Sequence, residues 1–339
     1  MNSTTTYYND FRRPLMGSLY LLVIFANCVS NILLAFIFYT KRAYFNVIPV
    51  YKISFQFLIS QCLMMIAQIY PISTLCFIND RQLAQYIATH YISIAFLELD
   101  TIGYYSQTYM TVLLALNRAN VFLFKNKLTI FGRVSVYFSI SFVWCWSLML
   151  VGLKKVFGIH KNFNNQYFYM FDRNYYPKSE WNQFWQGTFM GVVIYTAAIL
   201  ITSLYSLIFL KMTFDAKVKH KTVFTQQITL VGSPSNRTIV ASSVLKTTIK
   251  SKKNRKKLKP EISVLIQSLI LSLSACFEPI LFNYIPQITS KFEENASFTA
   301  SMIQNLFLMF LLTPPSWVFF FFNDVVESEF KKIRKTFFC

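Results

Sequence analysis

Two acids and one arginine lie on a single long apolar segment of the chain, at about residues 91–124. Glu98 and Asp100 stand near its start, and Asn117-Arg118 stands near its end. At ~1.5 Å per helical residue, the eighteen steps from Asp100 to Arg118 span roughly 27 Å, close to the ~30 Å thickness of a bilayer's hydrocarbon core. The segment therefore predicts a membrane-spanning helix with an acid near one membrane face and an arginine at the other.

Acids inside apolar segments are candidates for binding sites, because a carboxyl group in a membrane is costly and rarely faces lipid. Glu98 and Asp100 lie about 200° apart around a helix, so they cannot face the same way. Glu278 is a third such acid. The apolar segments offer no obvious buried Lys or Arg partner, so we expect these acids to be protonated, to be hydrogen-bonded to Tyr or Gln, or to bind a cationic ligand. Asp100 is the preferred pocket-lining acid, before Glu278 and then Glu98.

The composition is that of an integral membrane protein. Of the 339 residues, 54% are apolar and only 14% are charged, whereas soluble domains carry about a quarter charged residues. Seven apolar segments are each long enough to cross a bilayer, and they lie at about residues 15–39, 53–77, 91–122, 134–153, 188–210, 262–286 and 302–322. Because the chain lacks a run of short alternating strands, it predicts an all-α membrane protein, a bundle of seven transmembrane helices, and not an outer-membrane barrel.

The distribution of basic residues predicts the orientation of the bundle. If the N-terminus is outside, 24 of the 33 Lys and Arg residues lie in cytoplasmic segments, as the positive-inside rule requires. The predicted organisation is an extracellular tail (1–14), a seven-transmembrane domain (15–322) with a basic cytoplasmic loop (211–259), and a cytoplasmic amphipathic tail (323–339).

The net charge of +19 indicates membrane lipids and acidic cytoplasmic proteins as partners. The basic residues lie in loops between apolar segments, which does not suit nucleic acid. In the tail, Phe330 and Ile333 recur at helical spacing between basic residues, which predicts an amphipathic helix on the inner leaflet. Glycosylation sequons at Asn2 and Asn295 fall on the predicted outer side, where acceptor sites belong.

The sequence indicates neither a catalytic site nor a metal site. The six cysteines form no CxxC pair and the three histidines lie far apart, so neither a zinc site nor a catalytic constellation is predicted. We expect neither an enzyme nor a cofactor-dependent protein.

Four short motifs occur in order along the apolar segments: Ser30-Asn31, Leu116-Asn117-Arg118, Cys276-Phe277-Glu278-Pro279 and Thr313-Pro314-Pro315-Ser316-Trp317. They resemble altered forms of motifs in rhodopsin-like G-protein-coupled receptors, namely Gly-Asn, Asp-Arg-Tyr, Cys-Trp-x-Pro and Asn-Pro-x-x-Tyr. The Asn-Arg pair, the heavy use of Phe and Tyr, and the short basic tail are similar to nematode serpentine chemoreceptors. The cysteines that usually tie the 154–187 loop to the third helix are missing, so that family disulfide cannot form.

The resemblance implies a chemosensory receptor in the plasma membrane, at a sensory cilium, that binds a small-molecule odorant or pheromone within the bundle and activates a heterotrimeric G protein. Arg118 is implied in G-protein coupling, and Asn117 cannot supply its usual charged partner. Phe277 stands at the toggle position of the family and Trp317 at its tyrosine position.

Two further features bear on such a site. Pro279 should kink the sixth helix and Pro314 with its neighbour should break the seventh, which lets helix ends move. Tyr104, with Tyr105 and Tyr109, gives the third helix an aromatic face that is placed to line the pocket.

A ligand-gated channel of the odorant-receptor type is the alternative, because that class also spans the membrane seven times. Channels of that class have the opposite orientation, with the N-terminus inside. The distribution of Lys and Arg in this chain argues against that orientation. The location of the N-terminus separates the two.

Overall fold

The computed structural model describes residues 12–70, 74–132, 134–164, 169–174, 184, 190–231, 263, 265–274, 276–277, 303, 306–307, 309–310 and 314–338. The bundle consists of α1 (Arg12–Thr40), α2 (Pro49–Gln68), α3 (Tyr91–Phe122), α4 (Ser135–Val156), α5 (Met190–Val231), α6 (Leu265–Ser274), α7 (Pro314–Phe322) and α8 (Asp324–Phe338). Short helices lie at Arg42–Phe45, Thr74–Phe77 and Arg81–Thr89, and a 3₁₀ turn lies at Thr129–Phe131. Strands β1 (Ile159–Asn164) and β2 (Tyr169–Asn174) form an antiparallel hairpin.

Long apolar helices make this a membrane protein. Within the described residues, four helical stretches have the length and composition to cross a bilayer, namely Arg13–Thr40, Pro49–Gln68, Ser135–Val156 and Tyr195–Asp215. Their outer surfaces expose large apolar side chains, among them Phe25, Phe138 and Ile199. Exposed apolar surface on this scale is unfavourable in water and favourable against lipid.

The central helix is α3, which lies against α2, α4 and α5. Its bounds match the predicted third span, and its N-terminus is capped by His90, whose Nδ1 accepts a hydrogen bond from the Ile92 amide at 3.4 Å. Polar side chains such as Gln107 and Asn120 are buried along it. Since these side chains face protein and not lipid, α3 is less apolar than the four stretches named above.

Aromatic side chains fill the core near the Arg118 end of the bundle. The ring of Phe45 lies 4.8 Å from that of Phe38 and 4.7 Å from that of Tyr51, edge to face in both cases. The Trp144 indole donates to Gln56 Oε1 at 3.1 Å and thereby joins α4 to α2. These contacts fix α2, which carries several side chains of the candidate site.

The tail forms the predicted amphipathic helix. In α8 the ring of Phe330 packs 5.1 Å from that of Phe320 in α7. The neighbouring residue Glu329 forms ion pairs with Lys41 at 3.2 Å and Lys332 at 2.8 Å. The hydrogen bond from Lys332 lowers the pKa of the Glu329 carboxyl below its ordinary value, and the one from Lys41 acts in the same direction. The structure thus confirms an amphipathic helix after the seventh span.

One departure from the all-helical expectation is the hairpin in the 154–187 loop. The strands carry Ile, Phe and Tyr, side chains that pack well on a pleated surface. Ile159 pairs with Asn174 at one end of the ladder and Asn164 pairs with Tyr169 at the other. β1 rests on α3, α4 and Arg81–Thr89, so the hairpin is an addition to a helical bundle.

A second departure concerns α5, which continues to Val231 although the predicted fifth span ends near residue 210. Residues 211–231 contain neither Gly nor Pro, whereas Gly232 and Pro234 follow at once. Glycine after the last helical residue and proline shortly beyond it are typical of a helix end. The first part of the predicted basic loop is therefore helical.

Candidate functional site

Asp100 lies near one end of the bundle and is 4% exposed. Its Oδ1 accepts a hydrogen bond from Gln68 Nε2 of α2 at 3.1 Å, and its Oδ2 forms an ion pair with Lys161 Nζ of β1. The sequence offers no obvious basic partner for Asp100 within the apolar segments. The hydrogen bond from Gln68 is one of the three expected environments of this acid, and the structure adds a basic partner that comes from the loop.

The alternation of a β-strand explains why Lys161 reaches Asp100. Side chains two residues apart on a strand lie on the same face. Ile159, two residues before Lys161, is 2% exposed, which indicates that this face of β1 rests on the bundle. A lysine on the same face places its ammonium group over the end of α3.

Glu98 is also buried, with 4% of its surface exposed. It lies two residues before Asp100, so it points to a different face of α3, as predicted. Asp100 is the acid that forms the ion pair with Lys161 described above.

Aromatic side chains flank Asp100 along α3. Tyr104, one turn after it, is half-buried and packs against Met64 and Met65 of α2. Phe96, one turn before it, stacks on Tyr70 with ring centroids 4.8 Å apart. Tyr104 was predicted from the sequence and Phe96 was not, although the i−4 spacing of Phe96 from Asp100 was a signal for it.

Of the remaining predicted ligand contacts, the structure describes Phe277, which is not part of this cluster. Phe277 follows α6 and is 52% exposed. Glu278 and Pro279 lie outside the described residues, as do the sequon residues Asn2 and Asn295.

The other end of α3 carries Asn117 and Arg118, which are 4% and 6% exposed. The guanidinium of Arg118 lies within electrostatic range of Tyr205 and Tyr51. Its Nε and Nη2 atoms have no hydrogen-bond partner among the described residues. A buried guanidinium whose N–H groups lack hydrogen-bond partners can bind a hydrogen-bond acceptor.

The two tyrosines near Arg118 are themselves held by other helices. Tyr205 of α5 accepts a hydrogen bond from Ser272 of α6 at 3.3 Å. Tyr51 of α2 accepts one from Asn323 Nδ2 at 2.8 Å. Because Asn323 Oδ1 also accepts from the Val325 amide at 3.1 Å, this one side chain joins α2 to the N-terminus of α8.

A small cavity lies beside this network. It is lined by residues of four helices, namely Val50, Tyr51, Ser54, Leu114, Gln267, Ser268, Leu271 and Phe319. Gln267 is 2% exposed, and both polar atoms of its amide lack a hydrogen-bond partner within the described part of the chain. The cavity has room for about one water molecule.

In the seventh helix, Ser316 is buried, whereas Trp317, which stands at the tyrosine position of the family, is exposed. Within the described residues, α7 runs from Pro314 to Phe322. Trp317 is 46% exposed and stacks on Phe321. The buried polar contact comes instead from Ser316, which donates to Asn31 Oδ1 of α1. The geometry thus assigns the interior position to Ser316 and not to Trp317.

Comparison with known proteins concerns the fold. The crystal structure of squid rhodopsin superposes on this chain with a TM-score of 0.66, covering 96% of this chain and 87% of the rhodopsin chain, at 11% sequence identity. No family model matches the sequence, and no curated protein matches it. The chain therefore has the fold of rhodopsin, a bundle of seven transmembrane helices followed by a short C-terminal helix.

Proposed function

We propose that this chain is a chemosensory G-protein-coupled receptor. It binds an external small molecule, an odorant or pheromone, within the bundle at the Asp100 end, and it activates a heterotrimeric G protein at the Arg118 end. It belongs to the nematode serpentine kind, and it lies in the plasma membrane of a sensory cilium with its N-terminus outside.

The observation that carries this proposal is the environment of Arg118. A buried guanidinium at the end of the central helix has donors without partners among the described residues, and its neighbour is Asn117 instead of an acid. An arginine without a buried carboxylate beside it is available to donate hydrogen bonds to carbonyl or carboxylate oxygens of a protein that enters between the helix ends.

The two ends of the bundle share one rigid element. Asp100 and Arg118 both belong to α3, so a ligand that shifts or rotates this helix changes the surroundings of Arg118 as well. The hydrogen bonds of Tyr51 and Tyr205 are the contacts that such a shift rearranges.

A test combines topology with G-protein activation. Epitope tags at the two termini are probed in intact and permeabilised cells, and nucleotide exchange on added G protein is measured in the same membranes. We expect an exposed N-terminal tag and exchange that Arg118→Ala abolishes. A hidden N-terminal tag, together with a ligand-evoked current that needs no G protein, supports the channel alternative instead.

Basal activity gives a sharper prediction. With Asn117 beside it, Arg118 lacks the charged partner that stabilises the resting state. We therefore expect a high rate of nucleotide exchange on the G protein in the absence of ligand. Asn117→Asp supplies a charge-assisted hydrogen bond of about 1.5–3 kcal/mol, and we expect basal nucleotide exchange to fall roughly tenfold. Asn117→Ala is the control because it changes the side chain without adding charge. An unchanged or higher baseline in the aspartate variant contradicts the proposal.

A further inference from the structure

The loop between α3 and α4 carries basic and apolar side chains together on its exposed surface. Lys125 and Lys127 are exposed, and Phe124 and Ile130 are 45% and 44% exposed. We propose that this loop surface, defined by these four residues, binds the headgroup of an anionic phospholipid in the inner leaflet. The proposal rests on the proposed function for its orientation alone, since the loop is cytoplasmic when the N-terminus is outside.

The loop is held in one shape by hydrogen bonds to the end of α3. Asn120 Oδ1 accepts one from the Leu128 amide at 2.9 Å, and the Asn120 carbonyl oxygen accepts one from the Asn126 amide at 2.9 Å. Lys125 and Asn126 have φ angles of 51° and 63°, a conformation that is uncommon for lysine. Because the turn is already ordered, little backbone freedom is lost when a headgroup binds to it.

The exposed apolar surface of the loop continues that of α4. The Ser139 hydroxyl donates to the Ile130 carbonyl oxygen at 3.5 Å, so Ile130 lies beside the second turn of α4, near Phe138, which is 73% exposed. The 22 residues of α4 span ~33 Å, little more than the ~30 Å hydrocarbon core of a bilayer. The second turn of α4 therefore lies within the bilayer, and Ile130 lies at the level of lipid.

The charge of this region suits an anionic ligand. No Asp or Glu occurs between Asp100 and Asp172, so the inner half of α3, the loop and the whole of α4 contain no acid. Lys125 and Lys127 form no ion pair with another described residue. An anionic phospholipid presents a phosphate and acyl chains on one molecule, which matches lysines and apolar side chains on one surface.

The amphipathic helix α8 is less suited to this role, although it is also basic. Its Lys331 forms an ion pair with Glu327, and its Lys332 forms one with Glu329 at 2.8 Å. These carboxylates compensate the two lysines and repel an anionic headgroup. The loop surface is therefore favoured over α8.

A further basic group lies behind the start of α4. Lys52 Nζ of α2 lies 4.0 Å from the centroid of the Tyr137 ring, and Tyr137 is 50% exposed. Tyrosine is typical of the headgroup level of a membrane. Since Lys52 is itself 8% exposed, it adds positive potential to this region and is not a contact for the headgroup.

The test determines which phospholipid lies beside residue 130. The full-length chain carries a benzophenone amino acid in place of Ile130, in nanodiscs of equal parts phosphatidylserine and phosphatidylcholine with the same acyl chains. After irradiation, the crosslinked lipids are identified by mass spectrometry. Because each lysine near the membrane strengthens anionic lipid binding, we expect at least ~10-fold more crosslinks to phosphatidylserine. A benzophenone in place of Phe142, which lies deeper along α4 and is 67% exposed, should capture the two lipids equally.

Two paired variants locate the charge that causes the preference. Lys125→Gln with Lys127→Gln should reduce the preference for phosphatidylserine to about 3-fold or less. Lys331→Gln with Lys332→Gln removes the same formal charge from α8 and should keep the wild-type ratio. Glycerophosphoserine, the same headgroup without acyl chains, should not displace the lipid at equal concentration, because it lacks the apolar contacts.

Three results overturn the proposal. One is equal capture of the two lipids at residue 130, and another is a preference that the loop variant leaves unchanged. The third is a crosslink to added heterotrimeric G protein that replaces those to lipid, which assigns the loop surface to a protein partner. The lipid measurements contain no G protein, and both leaflets of a nanodisc hold the same lipids. Their failure is therefore distinct from a failure of the topology and Arg118 experiments.

Discussion

Lys161→Met is expected to lower the free energy of unfolding by about 3–5 kcal/mol, the usual cost of removing one partner of a buried ion pair. The reason is that Asp100 stays buried on α3 and keeps its Gln68 hydrogen bond but loses its counter-ion. Asp100→Asn should cost less, since the flexible Lys161 side chain can turn toward water. The measurement is the unfolding free energy in mixed micelles.

The double variant Asp100→Asn with Lys161→Met completes the cycle. It removes both charges and keeps their approximate volumes, so we expect it to recover most of the stability that Lys161→Met loses. Lys155→Met, which changes an exposed lysine, should stay within about 0.5 kcal/mol of wild type. If the two single effects simply add in the double variant, Asp100 and Lys161 are not coupled and the ion pair is not stabilising the hairpin.

Gly103→Ala has the second large expected effect, because α2 and α3 approach closely at this residue. A Cβ atom at Gly103 lies 2.5 Å from Met64 Cγ and 2.7 Å from the Ser60 carbonyl oxygen. The methionine side chain can move but the backbone carbonyl cannot, so the helices must separate. We expect Gly103→Ala to lower the free energy of unfolding by about 1–3 kcal/mol, measured in the same micelle assay. Gly103→Leu should lower it further.

A matched control is available in α4. A Cβ atom at Gly152 meets nothing within 4 Å, so Gly152→Ala should be neutral or should stabilise the chain by up to about 1 kcal/mol. If Gly103→Ala and Gly152→Ala change the unfolding free energy equally, the result contradicts the close approach of α2 and α3 at Gly103. Because Gln68 lies on α2, the separation caused by Gly103→Ala should also weaken its hydrogen bond to Asp100.

The sequence predicted the features that depend on local pattern. α3 runs from Tyr91 to Phe122, as the apolar segment predicted, because a long helix in a membrane is defined by its own composition. The amphipathic tail followed from the spacing of Phe330 and Ile333. In both cases the residues of the helix itself are sufficient to predict it.

Features that depend on distant residues were not predicted. Lys161 and Asp100 lie 61 positions apart, and only the position of the hairpin over α3 brings them together. A lysine in a polar loop has many possible partners, so the sequence offered no reason to choose this one.

The rotation of α7 was not predictable for a different reason. Its sequence, Pro314 to Phe322, is apolar around its whole circumference except at Ser316. Such a helix has no polar face from which an orientation can be inferred. The hydrogen bond from Ser316 to Asn31 fixes the rotation, and it directs Trp317 outward.

The cavity beside Gln267 makes the Arg118 end sensitive to hydrostatic pressure. Pressure favours whichever conformation occupies less volume, and internal voids contribute to that difference. A movement of α6 that closes this space reduces the volume of the protein. Compression should therefore shift the resting equilibrium of this end of the bundle without any ligand at the Asp100 end.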